Sequence, residues 1–133
     1  MKGVIIKKIE PVYIDERGSI TDLINEKLNH VGIITSKKDS IRGNHYHKLS
    51  IQYNYILSGK IEISLAKKES PSEVKKVILG PGEFISIQPG IIHKVIAIED
   101  CTFLDLISES RAGTNFENDV VRINLNEKND SSM

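Results

Sequence analysis

Residues 41–48 read IRGNHYHK and residues 82–93 read GEFISIQPGIIH. These two stretches hold three of the four histidines in the chain, His45, His47 and His93. Side chains two residues apart on a β-strand point to the same face, so His45 and His47 project together. Proline fits at the beginning of a strand, so the Pro-Gly pair of the second stretch predicts a strand that carries His93. We therefore expect the three imidazoles to meet on one inner wall of a small β-barrel.

Gln52 extends this polar wall onto a second strand. It lies five residues after His47, and on one continuous strand that odd separation would place it on the opposite face. A turn at residues 48–50 removes the conflict, because Gln52, Asn54 and Ile56 then share the inner face of the returning strand. Three tyrosines have the opposite parity, and we expect them to pack outside, between sheets or subunits: Tyr46, Tyr53 and Tyr55.

The rest of the chain favours strands over helices. Apolar residues occur in short β-branched runs separated by Gly, Pro, Asn, Asp or Ser, and hardly any segment keeps a helical period. Predicted strands cover residues 4–9, 18–25, 30–36, 41–47, 51–58, 60–66, 75–79, 83–88, 93–98 and 102–108. This pattern predicts an all-β jelly-roll barrel. The 133 residues suffice for one domain, which we expect at residues 1–125, followed by a flexible polar tail at residues 126–133.

The charge balance and the single cysteine restrict the partners and the compartment. Lys and Arg together number 18, as do Asp and Glu, so no net field attracts nucleic acid. No apolar run approaches the roughly 20 residues needed to cross a bilayer. Cys101 has no second thiol to pair with, which is typical of a reducing compartment. We expect a cytoplasmic protein with neither a nucleic-acid nor a membrane partner.

The spacing around the histidine pair resembles the first motif of the cupin family. That motif is a glycine, five residues, H-x-H, three or four residues, a glutamate, six residues and a glycine. Here it reads His45-x-His47, four residues, Gln52, six residues and Gly59, with Asp39 at the position of the leading glycine. The second cupin motif, G-x5-P-x-G-x2-H, is matched by Gly82, Gly90 and His93, with Gln88 at the proline position and Pro89 directly after it. The resemblance covers residues 41–98 and implies the cupin double-stranded β-helix.

Gln52 stands where the cupin motif has a glutamate, and this departure affects the metal site of the family. A glutamine carbonyl oxygen can coordinate a cation, but it lacks the charge of a carboxylate. The resemblance implies one divalent ion, Zn, Fe, Mn or Ni, on the ligand set His45, His47, Gln52 and His93. The alternative of no metal at all stays open.

Two stretches resemble the sugar-nucleotide branch of the cupins in particular. Residues 15–18 (DERG) and 41–47 are similar to dTDP-4-dehydrorhamnose 3,5-epimerases, dTDP-sugar 3,4-ketoisomerases and the cupin domain of capsular polysaccharide enzymes. The second stretch alone is similar to the capsular enzymes, which carry zinc. The histidine pair followed by Lys48 and Gln52 is similar to the ketoisomerases, which work without metal, as are residues 115–122 (NFENDVVR). The resemblance implies one partner, a nucleotide-linked 4-keto-deoxy sugar of surface-polysaccharide biosynthesis.

The chemistry of such a sugar explains the residue types. A 4-keto group acidifies the protons on neighbouring ring carbons, so epimerisation or keto transfer needs a base and a group that stabilises the enolate. We expect His45 and His47 to fill the acid and base roles. We expect Arg42 to bind diphosphate through its planar guanidinium, and Asn44 and Gln52 to position substrate hydroxyls. The expected protein is an epimerase or ketoisomerase that works as a homodimer.

Two other functions stay open from the sequence. The histidines also suit a small metal-binding cupin, either an enzyme on another small molecule or a sensor, and the missing glutamate suits a non-catalytic carbohydrate-binding barrel. Two further polar residues receive no role at the site. His30 lacks a partner at a suitable spacing, so we expect it to be structural or exposed. We expect Asp105 to point outward from its apolar strand, the alternative being that it orients a histidine.

Overall fold

The computed structural model describes residues 1–125, and two five-stranded antiparallel sheets contain about half of them. The elements in chain order are β1 (Val4–Lys8), β2 (Tyr13–Asp15), β3 (Gly18–Ile20), β4 (His30–Ser36), β5 (Ile41–His47), β6 (Gln52–Ser58), β7 (Ile61–Lys67), β8 (Lys75–Leu79), β9 (Glu83–Ile87), β10 (Ile91–Ala97), β11 (Cys101–Ile107), α1 (Asn115–Asp119) and β12 (Val120–Arg122). One sheet has the order β1-β9-β6-β11-β4, the other β12-β5-β10-β7-β8, and β2 pairs with β3 in a separate hairpin. The prediction of an all-β jelly-roll barrel is confirmed.

The strands and the helix described above do not test two predictions about where the domain begins and ends. The polar tail expected at residues 126–133 lies outside the described residues. The single domain expected at residues 1–125 stays a prediction. Among the described residues, no helix has the length and hydrophobicity needed to cross a membrane.

The two sheets face each other across an apolar core. Ile56 on β6 and Phe103 on β11 come from the first sheet, and Ile63 on β7 and Val95 on β10 come from the second. All four side chains are buried. Complete burial of such a side chain stabilises the fold by about 1.5–3 kcal/mol, so this core holds the two sheets together.

The same inward-facing positions become polar toward one end of the barrel. Gln52 and Asn54 have the parity of the core residues of β6, His93 has that of β10, and Asp105 has that of β11. All four are buried. Buried polar groups are stable only when they find hydrogen-bond partners. This end of the barrel is therefore the place to look for a functional site.

The outer face of the first sheet is covered by the chain itself. Tyr53 and Leu106 form a second apolar cluster, against which Ile24 and Leu28 pack. Tyr53 points outward, as its parity predicted. The strand predicted at residues 18–25 was too long, because it ends at Ile20 and the following residues cross the sheet instead of extending the hairpin.

A bulge in β5 shapes the entrance to the polar end. His93 lies opposite His45 while Lys94 lies opposite Gly43, so Asn44 is the extra residue. Gly43 has a φ of 90°, and a Cβ built there would lie 2.6 Å from the carbonyl oxygen of His93. Only glycine fits this close approach between the two strands.

Candidate functional site

A cavity of about 300 Å³ lies between the sheets at the polar end of the barrel. Its polar lining consists of Arg42, His45, His47, Gln52, Asn54, His93, Asp105 and Arg111. Pockets for small molecules typically have volumes of about 300–1,000 Å³. The cavity is therefore large enough for a small ligand that meets many charged and hydrogen-bonding groups.

Three imidazoles form the centre of this cavity, as the parity of β5 and β10 predicted. The ring centroid of His45 lies 5.1 Å from that of His47 and 4.7 Å from that of His93, and the rings of His47 and His93 are 5.6 Å apart. Ring nitrogens of the three residues lie within 4.8 Å of one another. The fourth histidine, His30, lies apart from them on β4, where its Nε2 is 3.7 Å from Oδ2 of Asp105.

His45 and His93 are both held in the neutral form. Burial, together with the positive charges of His47, Arg122 and Arg111, lowers the pKa of His45 from 6.5 to about 4. Burial and the neighbouring histidines lower the pKa of His93 to about 3. Each ring therefore carries a lone pair at neutral pH, which is what a general base requires.

The two ring nitrogens of His93 have different environments. Nδ1 lies 3.1 Å from the backbone oxygen of Ile91, a carbonyl that can only accept a hydrogen bond. Nε2 is buried and has no hydrogen-bond partner among the described residues. The proton of His93 therefore sits on Nδ1, and the lone pair of Nε2 is free inside the barrel.

His47 has a hydrogen-bond partner on each ring nitrogen. Its Nδ1 lies 2.8 Å from Oδ2 of Asp119, and its Nε2 lies 3.0 Å from Oε1 of Gln52. Burial acts to raise the pKa of Asp119, but hydrogen bonds from Ser50, Leu49 and His47 outweigh it and lower the pKa. Asp119 is therefore a carboxylate at neutral pH.

Asp119 reaches the site because the chain returns to the barrel after β11. Strand β12 pairs with β5, which places Val120 opposite His47. Asp119 is the last residue of α1, directly before that strand. Residues 115–122 carried a family resemblance in the sequence but no signal that singled out this aspartate, and neither α1 nor β12 was predicted from the sequence.

The prediction that Asp105 points outward was wrong. Its side chain faces the cavity, where Oδ1 accepts a hydrogen bond of 3.1 Å from Nδ2 of Asn54. Burial raises the pKa of Asp105, although Asn54 and the nearby charges of His30 and Arg111 act against the shift. His30 thus does have a partner at this end of the barrel.

Residues 13–119 match the family model of the polysaccharide biosynthesis C-terminal domain. The chain belongs to this family. A comparison with curated protein sequences finds no match. Solved structures therefore supply the remaining comparisons for this polysaccharide biosynthesis C-terminal domain.

Two solved structures of one enzyme are similar over nearly the whole chain. The enzyme is QdtA, a sugar 3,4-ketoisomerase from Thermoanaerobacterium thermosaccharolyticum. A double mutant in complex with TDP is 30% identical, with a TM-score of 0.74, over 92% of this chain and 88% of that one. A second structure in complex with TDP is 27% identical, with a TM-score of 0.75, over 96% and 91%. The resemblance to the sugar-nucleotide branch of the cupins is confirmed.

A more distant structure agrees in fold. The dTDP-4-dehydrorhamnose 3,5-epimerase from Sulfolobus tokodaii is 21% identical, with a TM-score of 0.69, over 86% of this chain and 75% of that one. Its similarity supports the cupin jelly roll and carries no argument about the reaction.

Arg42 lines the cavity of this family member because of the bulge in β5. The bulge places Arg42 opposite Val95, whose side chain faces the core. The guanidinium donates from Nε to Oγ of Ser36 at 2.7 Å and from one terminal nitrogen to the backbone oxygen of Thr35 at 2.9 Å. These bonds hold its planar group against the wall of the cavity.

Asn44 does not line the cavity, so the substrate contact predicted for it has no geometric support. As the extra residue of the bulge it adopts a φ of 59°. Its Oδ1 lies 3.4 Å from the backbone nitrogen of Leu125, and its backbone oxygen accepts from Ile123. Asn44 therefore anchors the segment after β12 to β5.

Arg111 and Phe116 complete the cavity, although neither was predicted from the sequence as a site residue. The guanidinium carbon of Arg111 lies 3.9 Å from the ring centroid of Phe116, and one terminal nitrogen lies 3.5 Å from Oδ2 of Asp105. The ring of Phe116 lies 6.4 Å from that of His45 and 6.3 Å from that of His47. The segment around α1 thus forms one wall beside the histidines.

The hydrogen bonds of His47 compete with metal binding by the predicted ligand set of three histidines and Gln52. A bound ion needs a lone pair from each imidazole. His45 and His93 can supply one, but both nitrogens of His47 are engaged by Asp119 and Gln52. The side-chain oxygen of Gln52 is likewise used by His47. His47 would have to give up one of these bonds before the set could converge on an ion.

Proposed function

We propose that this protein is an isomerase of a nucleotide-linked 4-keto-6-deoxy sugar, and that it moves the keto group from C4 to C3. The observation that carries the proposal is the neutral His45 beside the His47–Asp119 pair inside a cavity of sugar size. Similarity to the 3,4-ketoisomerase QdtA over nearly the whole chain favours keto transfer over epimerisation.

The reaction needs one proton to leave carbon and another to return. In the proposed mechanism His45 takes the proton from C3. The electron pair of that bond forms a C3–C4 double bond, and the carbonyl electron pair moves to the C4 oxygen. His47 lies beside the developing negative charge and stabilises it. The C4 oxygen takes up a proton from solvent, which gives an enediol. The protonated His45, which exchanges its proton with solvent, then gives a proton to C4 while the hydroxyl at C3 releases its proton to solvent. The product has a ketone at C3, a hydroxyl at C4 and no net change in atoms.

The diphosphate of the substrate needs cationic groups at the edge of the cavity. Arg42 and Arg111 both line it, and the guanidinium of each presents several N–H donors in one plane. We propose that Arg42 holds phosphate, as expected from the sequence, and that Arg111 assists it. Gln52 is occupied by His47 and Asn54, so its proposed part is to orient His47.

The experiment that tests the proposal is incubation of the full chain with TDP-4-keto-6-deoxyglucose, followed by NMR identification of the product. A ketone at C3 supports it. A sugar epimerised at C3 or C5 with its keto group still at C4 would replace keto transfer by epimerisation. A sugar that binds without conversion would favour the non-catalytic carbohydrate-binding barrel.

The prediction of one divalent metal stays a prediction. The ring nitrogens of His45, His47 and His93 lie close enough to surround one ion, which favours a metal-binding cupin. The two hydrogen bonds of His47 oppose it. Elemental analysis of protein purified without a histidine tag distinguishes a metal-binding protein from a metal-free one, because a metalloprotein retains close to one equivalent of metal.

We also propose that the protein is a cytoplasmic homodimer. Strand β4 is the edge of the first sheet, and its Val31 and Ile33 are 66% and 69% exposed. An exposed apolar edge strand favours pairing with a second copy. Sedimentation of the wild type and of Ile33→Lys tests this proposal. The wild type should form a dimer whose population rises with protein concentration, and Ile33→Lys should form less of it. The cytoplasm is proposed because the one cysteine is unpaired and buried.

A further inference from the structure

We infer that the direction of a buried hydrogen-bond chain places a hydrogen on each ring nitrogen of His47, and that Asp119, Gln52 and Asn54 are the positioning residues that fix these hydrogens. The inference deepens the proposed function, on which it rests for its catalytic meaning. The donor and acceptor order of the chain can be worked out from its two ends.

The first end is fixed by a backbone carbonyl. The side-chain nitrogen Nδ2 of Asn54 lies 3.2 Å from the backbone oxygen of Leu104 and 3.1 Å from Oδ1 of Asp105. A backbone carbonyl can only accept, so the amide group of Asn54 must face Leu104 whether or not Asp105 carries a proton. The oxygen of Asn54 is consequently turned toward Gln52.

Gln52 transmits this direction to His47. Its Nε2 lies 2.7 Å from Oδ1 of Asn54, so the Gln52 amide donates there and its oxygen Oε1 faces His47. That oxygen is an acceptor at 3.0 Å from Nε2 of His47. Nε2 of His47 must therefore carry a hydrogen. A reversed Gln52 would place its side-chain oxygen against Oδ1 of Asn54, which leaves two buried acceptors face to face.

The second end is fixed by Asp119. Its Oδ1 accepts from the backbone nitrogens of Leu49 and Ser50 at 2.7 and 3.3 Å, and Oδ2 lies 2.6 Å from Oγ of Ser50. A carboxylate with this set of donors is an acceptor toward His47 as well. Nδ1 of His47 therefore also carries a hydrogen. An imidazole with a hydrogen on both nitrogens is a cation.

This charge has two consequences at the site. The imidazolium lies beside the ring of His45, whose lone pair is needed to take a proton from the sugar, and it stabilises the negative charge that the sugar oxygen then acquires. The hydrogen on Nε2 and the positive charge of His47 also oppose the binding of a divalent cation between the three imidazole rings. Gln52 thus replaces the metal ligand of the cupin motif by an acceptor that keeps the proton on His47.

The nitrogen-15 NMR spectrum of the imidazole side chains of the full chain at pH 7, recorded with a chelator present, tests the inference. The four histidines give four sets of ring-nitrogen signals, and variants that each replace one histidine assign these signals. We expect two hydrogen-bearing nitrogens in His47 and one each in His45 and His93. A bare nitrogen in the ring of His47 would overturn the inference.

The Asp119→Asn variant tests whether Asp119 keeps the hydrogen on Nδ1 of His47. A purely structural role of Asp119 would leave the ring-nitrogen signals of His47 unchanged. The backbone donors of Leu49 and Ser50 hold the amide oxygen, so the new NH₂ group faces Nδ1 of His47. We expect that nitrogen to lose its hydrogen while Nε2 keeps its own. Glu117→Gln is the matched control, because this exposed carboxylate of α1 pairs with Arg122 outside the cavity and should leave the His47 pattern unchanged. A folded Asp119→Asn protein with both hydrogens still on His47 would overturn the inference.

The two proposals fail separately. A neutral His47 in a protein that converts the keto sugar removes the inference and keeps the proposed function. A cationic His47 in a protein that converts no keto sugar keeps the assigned charge and removes the proposed function. The wild-type spectrum shows whether any ring carries hydrogens on both nitrogens at pH 7, and this observation does not depend on the folding of Asp119→Asn.

Discussion

Oδ2 of Asp119 lies 2.8 Å from Nδ1 of His47, although the two residues are 72 positions apart in the chain. The contact joins the end of α1 to the inner wall of the barrel. It gives one imidazole of the cluster an anionic partner, while His45 beside it stays neutral and His93 keeps a bare lone pair. Three chemically identical side chains thereby acquire different states within one small cavity.

His45→Asn should remove activity while keeping nucleotide binding. Asparagine keeps a polar side chain of similar reach but has no lone pair basic enough to take a proton from carbon. General acid–base groups contribute about 10²–10⁴-fold to rate, so we expect kcat to fall by a factor in that range. Isothermal titration with TDP measures binding separately. An active His45→Asn enzyme would show that another residue is the base.

Gln52→Glu should raise the affinity for a divalent cation. The substitution adds a negative charge beside the three imidazoles and restores the cupin glutamate. Changes in groups next to metal ligands alter affinity by about 10–100-fold, so we expect Zn²⁺ to bind at least about tenfold tighter than to the wild type.

Titration calorimetry of both proteins after treatment with a chelator measures that difference. The chelated wild type should also retain its isomerase activity. A wild type that holds one equivalent of metal and loses activity with the chelator would establish the metal-binding alternative instead.

Gly43→Ala should destabilise the barrel and disturb the histidines. The residue has a φ of 90°, and its Cβ would lie 2.6 Å from the backbone oxygen of His93. Strain of this kind costs about 1–3 kcal/mol, and the displaced strand carries His93. Urea unfolding measures the loss of stability.

Gly82→Ala is the matched control for the clash. Its φ of 85° imposes a similar backbone cost, but a Cβ there meets only the flexible end of Lys8 at 3.7 Å. We expect Gly43→Ala to lose more stability than Gly82→Ala and to lose activity as well. Equal losses would mean that the backbone angle alone, and not the approach to His93, requires the glycine.

Acid should destabilise the metal-free protein below about pH 6.5. The pKa of His45 falls from 6.5 to about 4 on folding, and that of His93 falls to about 3. Between the pKa of each histidine in the folded protein and its pKa in the unfolded chain, the unfolded chain binds more protons than the folded one. The free energy of unfolding therefore rises with pH and is lost as pH falls. The raised pKa of Asp105 acts in the opposite sense.

Urea unfolding at pH 7 and pH 5 measures this loss. His45→Asn removes one of the two histidines concerned, so its free energy of unfolding should change less between the two pH values than that of the wild type. An identical change in both proteins would show that His45 does not contribute to the pH dependence.

The sequence was sufficient to predict the positions of the three imidazoles and of Gln52. His45 and His47 share a parity, His93 follows a Pro-Gly corner, and Gln52 begins a strand that returns after a short turn. Each of these positions depends on local alternation, which is the pattern that strands express most directly. The cupin spacing carried the same information over residues 41–98.

Asp105 was misplaced because alternation along β11 is not informative. Leu104 and Leu106 face the outer cluster while Phe103 faces the core, so apolar residues occupy both faces of the strand. A strand covered on both faces reads as continuously apolar, and parity then has no polar face to identify. Its inward direction follows only from its pairing with Asn54.

Asp119 and the bulge at Asn44 depend on tertiary structure. Asp119 meets His47 only because β12 returns to pair with β5, and a strand of three residues after a short helix gives little periodic signal. The bulge shifts the alternation of β5, which turns Arg42 toward the cavity, whereas Asn44 lies next to His45 and is on the other face by ordinary alternation. A single extra residue of this kind leaves no pattern in the composition of the strand.

Conversion of TDP-4-keto-6-deoxyglucose in D₂O, followed by proton and carbon NMR, tests the central claim most directly. We expect a product with its ketone at C3 and with solvent deuterium at C4, formed by the wild type and lost in His45→Asn. Substrate that is recovered with its keto group at C4 and with no deuterium in the sugar ring would contradict it.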